Sequence, residues 1–496
     1  MFLQGMISSF VGVVFIAILA HLISLEEMGV YAIITFILAA VQILGVFALP
    51  SASTKYIAQY MAEGHPEKAK SVITRVLQIS SITSIVLLVM LYLAAEGLSV
   101  TLLGTREWIH LFQILAVIGA FTIFYIQIGS FLRGLQKFRE LAALSLACTL
   151  MQKSLVIFLL LYTDLGLYSI AWSWLTSVVV ACFIGLFLTA RSAGILAKPH
   201  PVGTLARFSY PLYISNSLSF VAGWVDQIFI LPFLGAIYLG MYHLAVRAVA
   251  VPSLIASSVV IALFPKLSEL YTRHGKAALT KAFGNSTRYA VLAGFPIVIG
   301  IASLSHPILV IFAGPDYAEA ALPLAVLCLS VLPTILGVAI GPTLMTLERT
   351  KIVSTMIIVA IFSSTAVSYV TLAYLNLGMF GTALARVMSS FAAFGYGIYA
   401  LRGLVKTMFD TESLWKTSLA CLFMAIAIVS MSYFLEGIVS QTVLLLLSVL
   451  LGAAVYFCGV VALRTFKKQD IELLNESLPD KLKRVSVWLD RLVLAD

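Results

Sequence analysis

Runs of about 20 apolar residues, each closed by a charge or a turn signal, recur from one end of this chain to the other. They fall at roughly 6–24, 29–52, 76–95, 109–131, 141–163, 166–189, 209–234, 239–264, 289–312, 318–345, 353–374, 378–401, 416–435 and 440–463. A segment of that length and apolarity spans hydrocarbon, where the backbone must satisfy its own hydrogen bonds, and a helix does so within one segment. The expected fold is therefore an all-α polytopic membrane protein of about 14 transmembrane helices. With 61% hydrophobic residues, 11% charged and a mean hydropathy of +1.05, the 496-residue chain cannot be a soluble globular enzyme or a disordered segment. Its 5 cysteines are too few and too far apart for a disulfide framework. Cys148, Cys182, Cys328, Cys421 and Cys458 all fall in the apolar runs and read as small apolar residues.

The net charge of +9 is explained by location and gives no sign of a nucleic-acid partner. Nearly all of the 31 Lys and Arg lie in alternate loops and in the tail, among them Lys55, Lys68, Lys70, Arg75, Arg133, Lys137, Arg139 and Lys266. The opposite loops hold Arg106 and acids such as Glu26, Glu27, Asp164, Asp316 and Glu436. By the positive-inside rule both termini are expected in the cytoplasm, in a protein of the cell membrane. The start Met1-Phe2-Leu3-Gln4-Gly5 has no basic region and no cleavage site, so the first run reads as a retained span. At the other end, Ser477 is an expected N-cap, and Leu482, Val485, Trp488, Leu489 and Leu492 recur at helical spacing against Lys481, Lys483, Arg484 and Arg491. That pattern reads as a basic amphipathic helix on the inner membrane surface, the alternative being a solvated end helix.

Two stretches about 211 residues apart share landmarks, which is the mark of an internal repeat. Met28-Gly29-Val30-Tyr31 heads the second run and Leu239-Gly240-Met241-Tyr242 heads the eighth. Each of these helices is expected to end near a proline, Pro50 or Pro265, followed by Tyr60 and Gly64 or by Tyr271 and Gly275 at the same offset. Both copies run in the same direction, as parallel repeats do. The expected division is 1–198 for one six-helix lobe, 199–405 for the second, 406–463 for an appended helix pair and 464–496 for the cytoplasmic tail.

These residues resemble the polysaccharide and lipid-linked oligosaccharide flippases (Wzx-type) of the multidrug/oligosaccharidyl-lipid/polysaccharide exporter superfamily. The resemblance covers about residues 7–405. It rests on Ser24-Leu25-Glu26-Glu27-Met28-Gly29-Val30-Tyr31, on Asp226, on Leu239-Gly240-Met241-Tyr242 and on Phe264-Pro265-Lys266-Leu267-Ser268. Phe312-Ala313-Gly314-Pro315-Asp316-Tyr317 adds a later segment in the same order. The resemblance implies two six-helix lobes around a central cavity that opens to each side in turn. It departs where many members carry an Arg near the outer end of the first helix, because this chain has His21 there.

Four charged residues fall inside the runs: Lys153, Asp226, Arg247 and Arg386. A charge at that depth is costly unless it faces protein or water, so each is a candidate functional residue. Arg247 and Arg386 sit about eight residues in from an outer end, roughly 12 Å deep, and Lys153 sits near the midplane. Together the four sum to +2, which suits a substrate carrying a diphosphate, and Arg offers phosphate planar bidentate donors. The candidate headgroup set is therefore Arg247, Arg386 and Lys153, with His21 as a weak contributor. Asp226 is expected either to pair with Arg247 on the neighbouring antiparallel helix or to take part in ion coupling, as an acid does in some relatives. Hydroxyls at Ser363, Ser364, Thr365 and Ser368 are the nearest expected partners for a sodium ion. His21, His243 and His306 are the residues able to titrate near neutral pH, although a lone membrane histidine is more often satisfied by nearby backbone.

The chain carries no nucleotide-binding loop, no paired catalytic carboxylates and no catalytic-triad spacing, so it is not expected to be an enzyme. No cofactor is implied beyond a coupling Na⁺ or H⁺. The first expectation is a flippase that carries a polyisoprenyl-diphosphate-linked oligosaccharide to the outer leaflet for polysaccharide or glycoprotein glycan assembly, with the bilayer, the glycan lipid and glycan-assembly enzymes as partners. Its rivals are a cation-coupled multidrug exporter of the same superfamily and a non-transporting membrane scaffold for glycan enzymes. A membrane glycosyltransferase is disfavoured by the short outer loops.

Overall fold

The computed structural model describes residues 2–404, 409–435 and 437–465, with backbone alone at 2, 3, 6, 254–262, 264 and 265. The expected amphipathic tail helix lies outside the described residues. Among the described residues the chain is helical throughout, with no strand. The first helices are α1 (Phe2–Leu22), α2 (Leu25–Val46), α3 (Leu49–Ala62), α4 (Pro66–Leu103), α5 (Ile109–Gly134), α6 (Phe138–Tyr162), α7 (Tyr168–Ala193) and α8 (Val202–Leu234). Then come α9 (Ala236–Ser303), α10 (Ser305–Ala313), a 3₁₀ turn (Pro315–Ala320), α11 (Ala321–Leu329), α12 (Val331–Leu336) and α13 (Ile340–Thr346). The last are α14 (Thr350–Ala373), α15 (Gly378–Leu401), α16 (Thr411–Leu435) and α17 (Gln441–Ala462). Among the described residues, eleven segments are long and apolar enough to cross a membrane, and Ile7–Leu22 is a shorter apolar helix. The chain is a multi-pass membrane protein.

The helices form two compact units, Met1–Leu244 and the chain from Ala245 onward. In the first, α5 is central: it packs on α4, α7, α3 and α2, and α6 joins through α7. Its core includes Leu49, Ile57, Val72, Val76, Phe131 and Leu132, all buried. α8 packs against α2 and α3. The connector leading to α8 is fastened to α4: Thr74 Oγ1 donates to Ile195 O at 2.8 Å, Arg75 Nε donates to His200 O at 2.7 Å, and Ser71 donates to Lys198 O. In the second unit α14 packs on α15, and α16 on α17.

The repeat landmarks take matching conformations. Gly64 ends the α3 rod with φ 74° and Gly275 interrupts α9 with φ 68°. Glycine adopts this left-handed backbone without the Cβ clash that penalises other residues. α2 ends at Val46, near Pro50 as the sequence suggests, whereas at Pro265 no helix ends, contrary to the sequence expectation. Pro50 sits in the first turn of α3, where its missing N–H is not needed, and the α9 backbone runs helical past position 265. What separates α2 from α3 is a pair of left-handed residues, Phe47 (φ 47°) and Ala48 (φ 53°). Within α9 the one non-helical residue is Gly275, so the second copy has no such break. The tenth expected span is a series of short helices, because Pro323, Pro333 and Pro342 each remove a backbone donor.

Candidate functional site

Lys153 lies half-buried on α6, its Nζ 3.8 Å from the centroid of the Phe15 ring on α1. A desolvated ammonium over an aromatic face is stabilised by the ring quadrupole, so this charge has a seat within the first unit. His21, exposed at the end of α1, places Nδ1 2.9 Å from the Ala17 carbonyl one turn earlier. That is the backbone satisfaction expected of a lone helical histidine.

Asp226 on α8 is fully buried. Its Oδ2 accepts from the Tyr242 hydroxyl at 2.7 Å and its Oδ1 from the Gln227 amide at 3.0 Å. Next to it, His243 Nδ1 lies 2.7 Å from Gln227 Oε1; an amide oxygen can only accept, so Nδ1 carries the proton. The imidazole stacks on Trp224 (5.8 Å, 21°) and meets Tyr31 edge-on (6.1 Å, 81°). Phe36 and Phe220 extend the aromatic column. Sequence reasoning placed Asp226 and His243 in separate arguments; the α8–α9 hairpin brings them into one network.

The network is closed by a backbone contact between the two repeat heads. A Cβ added at Gly29 would lie 2.1 Å from the Ala236 carbonyl oxygen, and one added at Gly240 would lie 2.6 Å from Gly29 N. Only glycine at both positions lets α2 and α9 approach this closely. α2 is held in place by a capping box in which Glu27 N donates to Ser24 Oγ (3.2 Å) and Ser24 N to Glu27 Oε2 (2.9 Å).

Arg247 and Arg386 belong to the second unit. Arg247 is exposed on α9 and Arg386 half-buried on α15, where the Arg386 carbonyl accepts from Ser389 (2.9 Å) and Ser390 (2.6 Å). Of the hydroxyls expected near a sodium ion, Ser364 and Ser368 are buried on α14, the helix that packs on α15.

One charged pair escaped the sequence reading. Arg288, just ahead of the run at 289–312, is 6% exposed and lies with Nε 3.3 Å from Asp410 Oδ2. The same Nε donates to Ser413 Oγ at 2.9 Å, while Ser413 N and Oγ return to the Asp410 carboxylate at 3.2 and 2.8 Å. This fixes the start of α16 against α9. The available signal was Asp410-x-x-Ser413 ahead of an apolar run, a helix-start pattern.

The all-helical, multi-pass architecture is shared with transporters among the proteins that match this chain. The family model described as "Polysaccharide biosynthesis protein" matches residues 18–322, and the chain belongs to that family. The succinoglycan biosynthesis transport protein ExoT of Rhizobium meliloti (strain 1021) is 25% identical over 325 residues, 64% of this chain and 61% of that protein. The match thus spans less than two thirds of the relative. Among solved structures, the lipid II flippase MurJ in an inward closed conformation aligns with a TM-score of 0.75 at 18% identity, covering 93% of this chain and 97% of MurJ. An inward-facing multidrug resistance MATE transporter aligns with a TM-score of 0.69 at 16% identity, covering 80% and 94%. At those identities the two structures establish the fold alone. The matched proteins are transporters and flippases by name, none an enzyme.

Proposed function

We propose that this chain is a flippase that moves a polyisoprenyl-diphosphate-linked oligosaccharide from the cytoplasmic to the outer leaflet by alternating access, for polysaccharide or glycoprotein glycan assembly. The observation that carries the proposal is the family match together with three cations, Arg247, Arg386 and Lys153, within the apolar runs of the sequence. A carrier for polysaccharide assembly must handle an anionic phosphate head in a low-dielectric setting, where permanent cations are worth most. Arg247 and Arg386 would hold the diphosphate, Lys153 would sit nearer the glycan, and the lipid tail would stay in the bilayer. His21 would add at most a weak contact. Asp226, held by Tyr242, would be the residue for ion pairing or for Na⁺ or H⁺ coupling.

In this reading both termini are cytoplasmic, the protein sits in the cell membrane, and the lobes are 1–198 and 199–405. The pair 406–463 and the tail 464–496 would then be free to meet glycan-assembly enzymes. A ligand drives alternation only by binding the two states unequally, so removing the anion contacts should stall transport as well as weaken binding.

The test is native mass spectrometry of gently extracted wild type and of the Arg247→Ala/Arg386→Ala double variant. A co-purifying polyisoprenyl-diphosphate glycan on the wild type, lost in the variant, is the expected result. Bare protein in both, with transport of cationic dyes in liposomes, would replace the flippase reading with that of a multidrug exporter.

A further inference from the structure

Two aromatic contacts join α2 to α8 within the first unit. Phe36 of α2 meets Phe220 and Trp224 of α8, with ring centroids 5.7 and 5.3 Å apart, and past the end of α2 the Phe47 ring lies 5.3 Å from that of Tyr213. On α8 the two contacts are seven residues, about 10 Å, apart. Phe47 reaches Tyr213 from the left-handed elbow, where its φ is 47°. A bulky residue in that conformation is rare, and such strain clusters at functional sites. The elbow is also tied to α8, since Ser209 Oγ donates to Ala48 O at 3.4 Å. Phe47 is nevertheless exposed, and Phe36, Tyr213 and Phe220 are only half-buried, so these rings are not sealed into the core.

Beside the rings, α8 has two unlike exposed sides. Ile214, Val221 and Ile228 recur every seven residues and make an apolar stripe that suits lipid. On nearly the opposite side of the helix, at about 100° per residue, Asn216, Ser219 and Gly223 form a second exposed stripe, polar and small. The Ser219 hydroxyl donates to its own helix, to Ser215 O at 2.9 Å. The Asn216 carboxamide makes no hydrogen bond among the described residues, and neither does the Tyr213 hydroxyl one turn before it. Asn216 lies about 21 Å along α8 from Val202, near the middle of a helix long and apolar enough to cross a membrane. An exposed amide left unpaired in hydrocarbon is costly, so this stripe faces water or a polar ligand.

We propose that Phe47, Tyr213, Asn216 and Phe220 form a sugar-binding platform of the first unit, on which a ring of the lipid-linked glycan stacks while its hydroxyls bond the Asn216 amide and the Tyr213 phenol. The inference rests on the flippase reading above and deepens it by naming where the glycan is held. A sugar ring has an apolar C–H face and a rim of hydroxyls, which matches aromatic faces flanked by groups that both give and take hydrogen bonds. Charge sets the platform apart from a phosphate or drug site. The chain carries no charged residue between Glu27 and Lys55, the stretch holding most of α2 and the elbow, and none on α8 between Arg207 and Asp226. Neither a phosphate nor a cationic drug finds its counter-charge on these faces. The arginines would then read the head that all such lipids share, and the platform would read the sugars.

The test measures affinities of the purified full-length protein for bare polyisoprenyl diphosphate and for the same lipid carrying a disaccharide. Wild type is expected to hold the disaccharide form about tenfold tighter, equivalent to one or two net hydrogen bonds. Asn216→Leu, which keeps volume and removes polarity at an exposed position, should cut that preference to about threefold or less. Phe47→Leu/Asn216→Leu should abolish it, and both variants should leave the bare-lipid affinity unchanged. Val221→Leu, on the apolar stripe, should change nothing. Equal affinity of wild type for the two lipids would overturn the platform while leaving the flippase reading intact. So would a double variant that keeps the preference. Binding of neither lipid would sink both readings. Should the double variant misfold, Asn216→Cys provides the second readout: its alkylation by a water-soluble maleimide must be slowed by the disaccharide lipid and not by the bare lipid, and protection by both or by neither overturns the platform.

Discussion

Gly29→Ala is the smallest change that tests how the repeat heads are packed. In an ordinary helix it would stabilise by up to about 1 kcal/mol, since alanine loses less backbone entropy on folding. Here the new methyl would stand 2.1 Å from the Ala236 carbonyl oxygen and 2.6 Å from the carbon behind it, both backbone atoms that no rotamer change can move. Restoring ordinary contact needs α2 and the head of α9 to part by roughly 1 Å, and overpacking on that scale costs about 1–3 kcal/mol. The net expectation is a loss of about 1–2 kcal/mol after the helix-propensity gain. For a unit of this size that corresponds to a fall in Tm of roughly 2–8 °C. Gly97→Ala on α4 is the matched control, because nothing lies within 4 Å of its added methyl. The assay is thermal unfolding in detergent followed by tryptophan emission, with both variants measured beside wild type. If Gly29→Ala melts at or above wild type and tracks Gly97→Ala, the claimed backbone contact is wrong.

Two further perturbations address the charged groups. Arg288→Ala leaves Asp410 without its guanidinium in a largely buried place, so a loss of about 3–5 kcal/mol is expected, whereas replacing both Arg288 and Asp410 with apolar residues should recover much of it; a double-mutant cycle on unfolding midpoints checks both. Tyr242→Phe removes the 2.7 Å bond to the buried Asp226 carboxylate and is expected to cost about 1–3 kcal/mol, more than Tyr238→Phe at the head of the same helix, measured by the same melts.

The apolar periodicity made the helices legible because a membrane span needs length and apolarity, and both are local properties. Where a helix is short, basic and amphipathic, as in α3, the hydropathy signal fades, and the chain read as a loop is in fact a rod. The tenth span was legible as an apolar stretch, but not as a chain of short helices, since its prolines act one turn at a time. Among the charged residues, sequence identified Lys153, Asp226, Arg247 and Arg386 by their depth in the apolar runs and missed Arg288, because the helix-start pattern Asp410-x-x-Ser413 does not say which basic residue it will meet. Repeat comparison picked out Gly29 and Gly240 as equivalent positions; that they also touch is a tertiary fact with no local trace.

The break at Phe47–Ala48 makes the two repeat copies mechanically unequal. From Ala236 to Gly275 the second copy has no left-handed break, and what weakens its helix there is the loss of backbone donors at Pro252 and Pro265. Its counterpart is a beam of about 33 Å joined to a shorter lever, and a torque on α2 is spent at the joint. Two non-glycine residues held left-handed store about 1–2 kcal/mol each in that joint, as a bent spring would, so any state that straightens it has that energy to draw upon. A molecule built by doubling one plan has put a left-handed elbow in one arm alone.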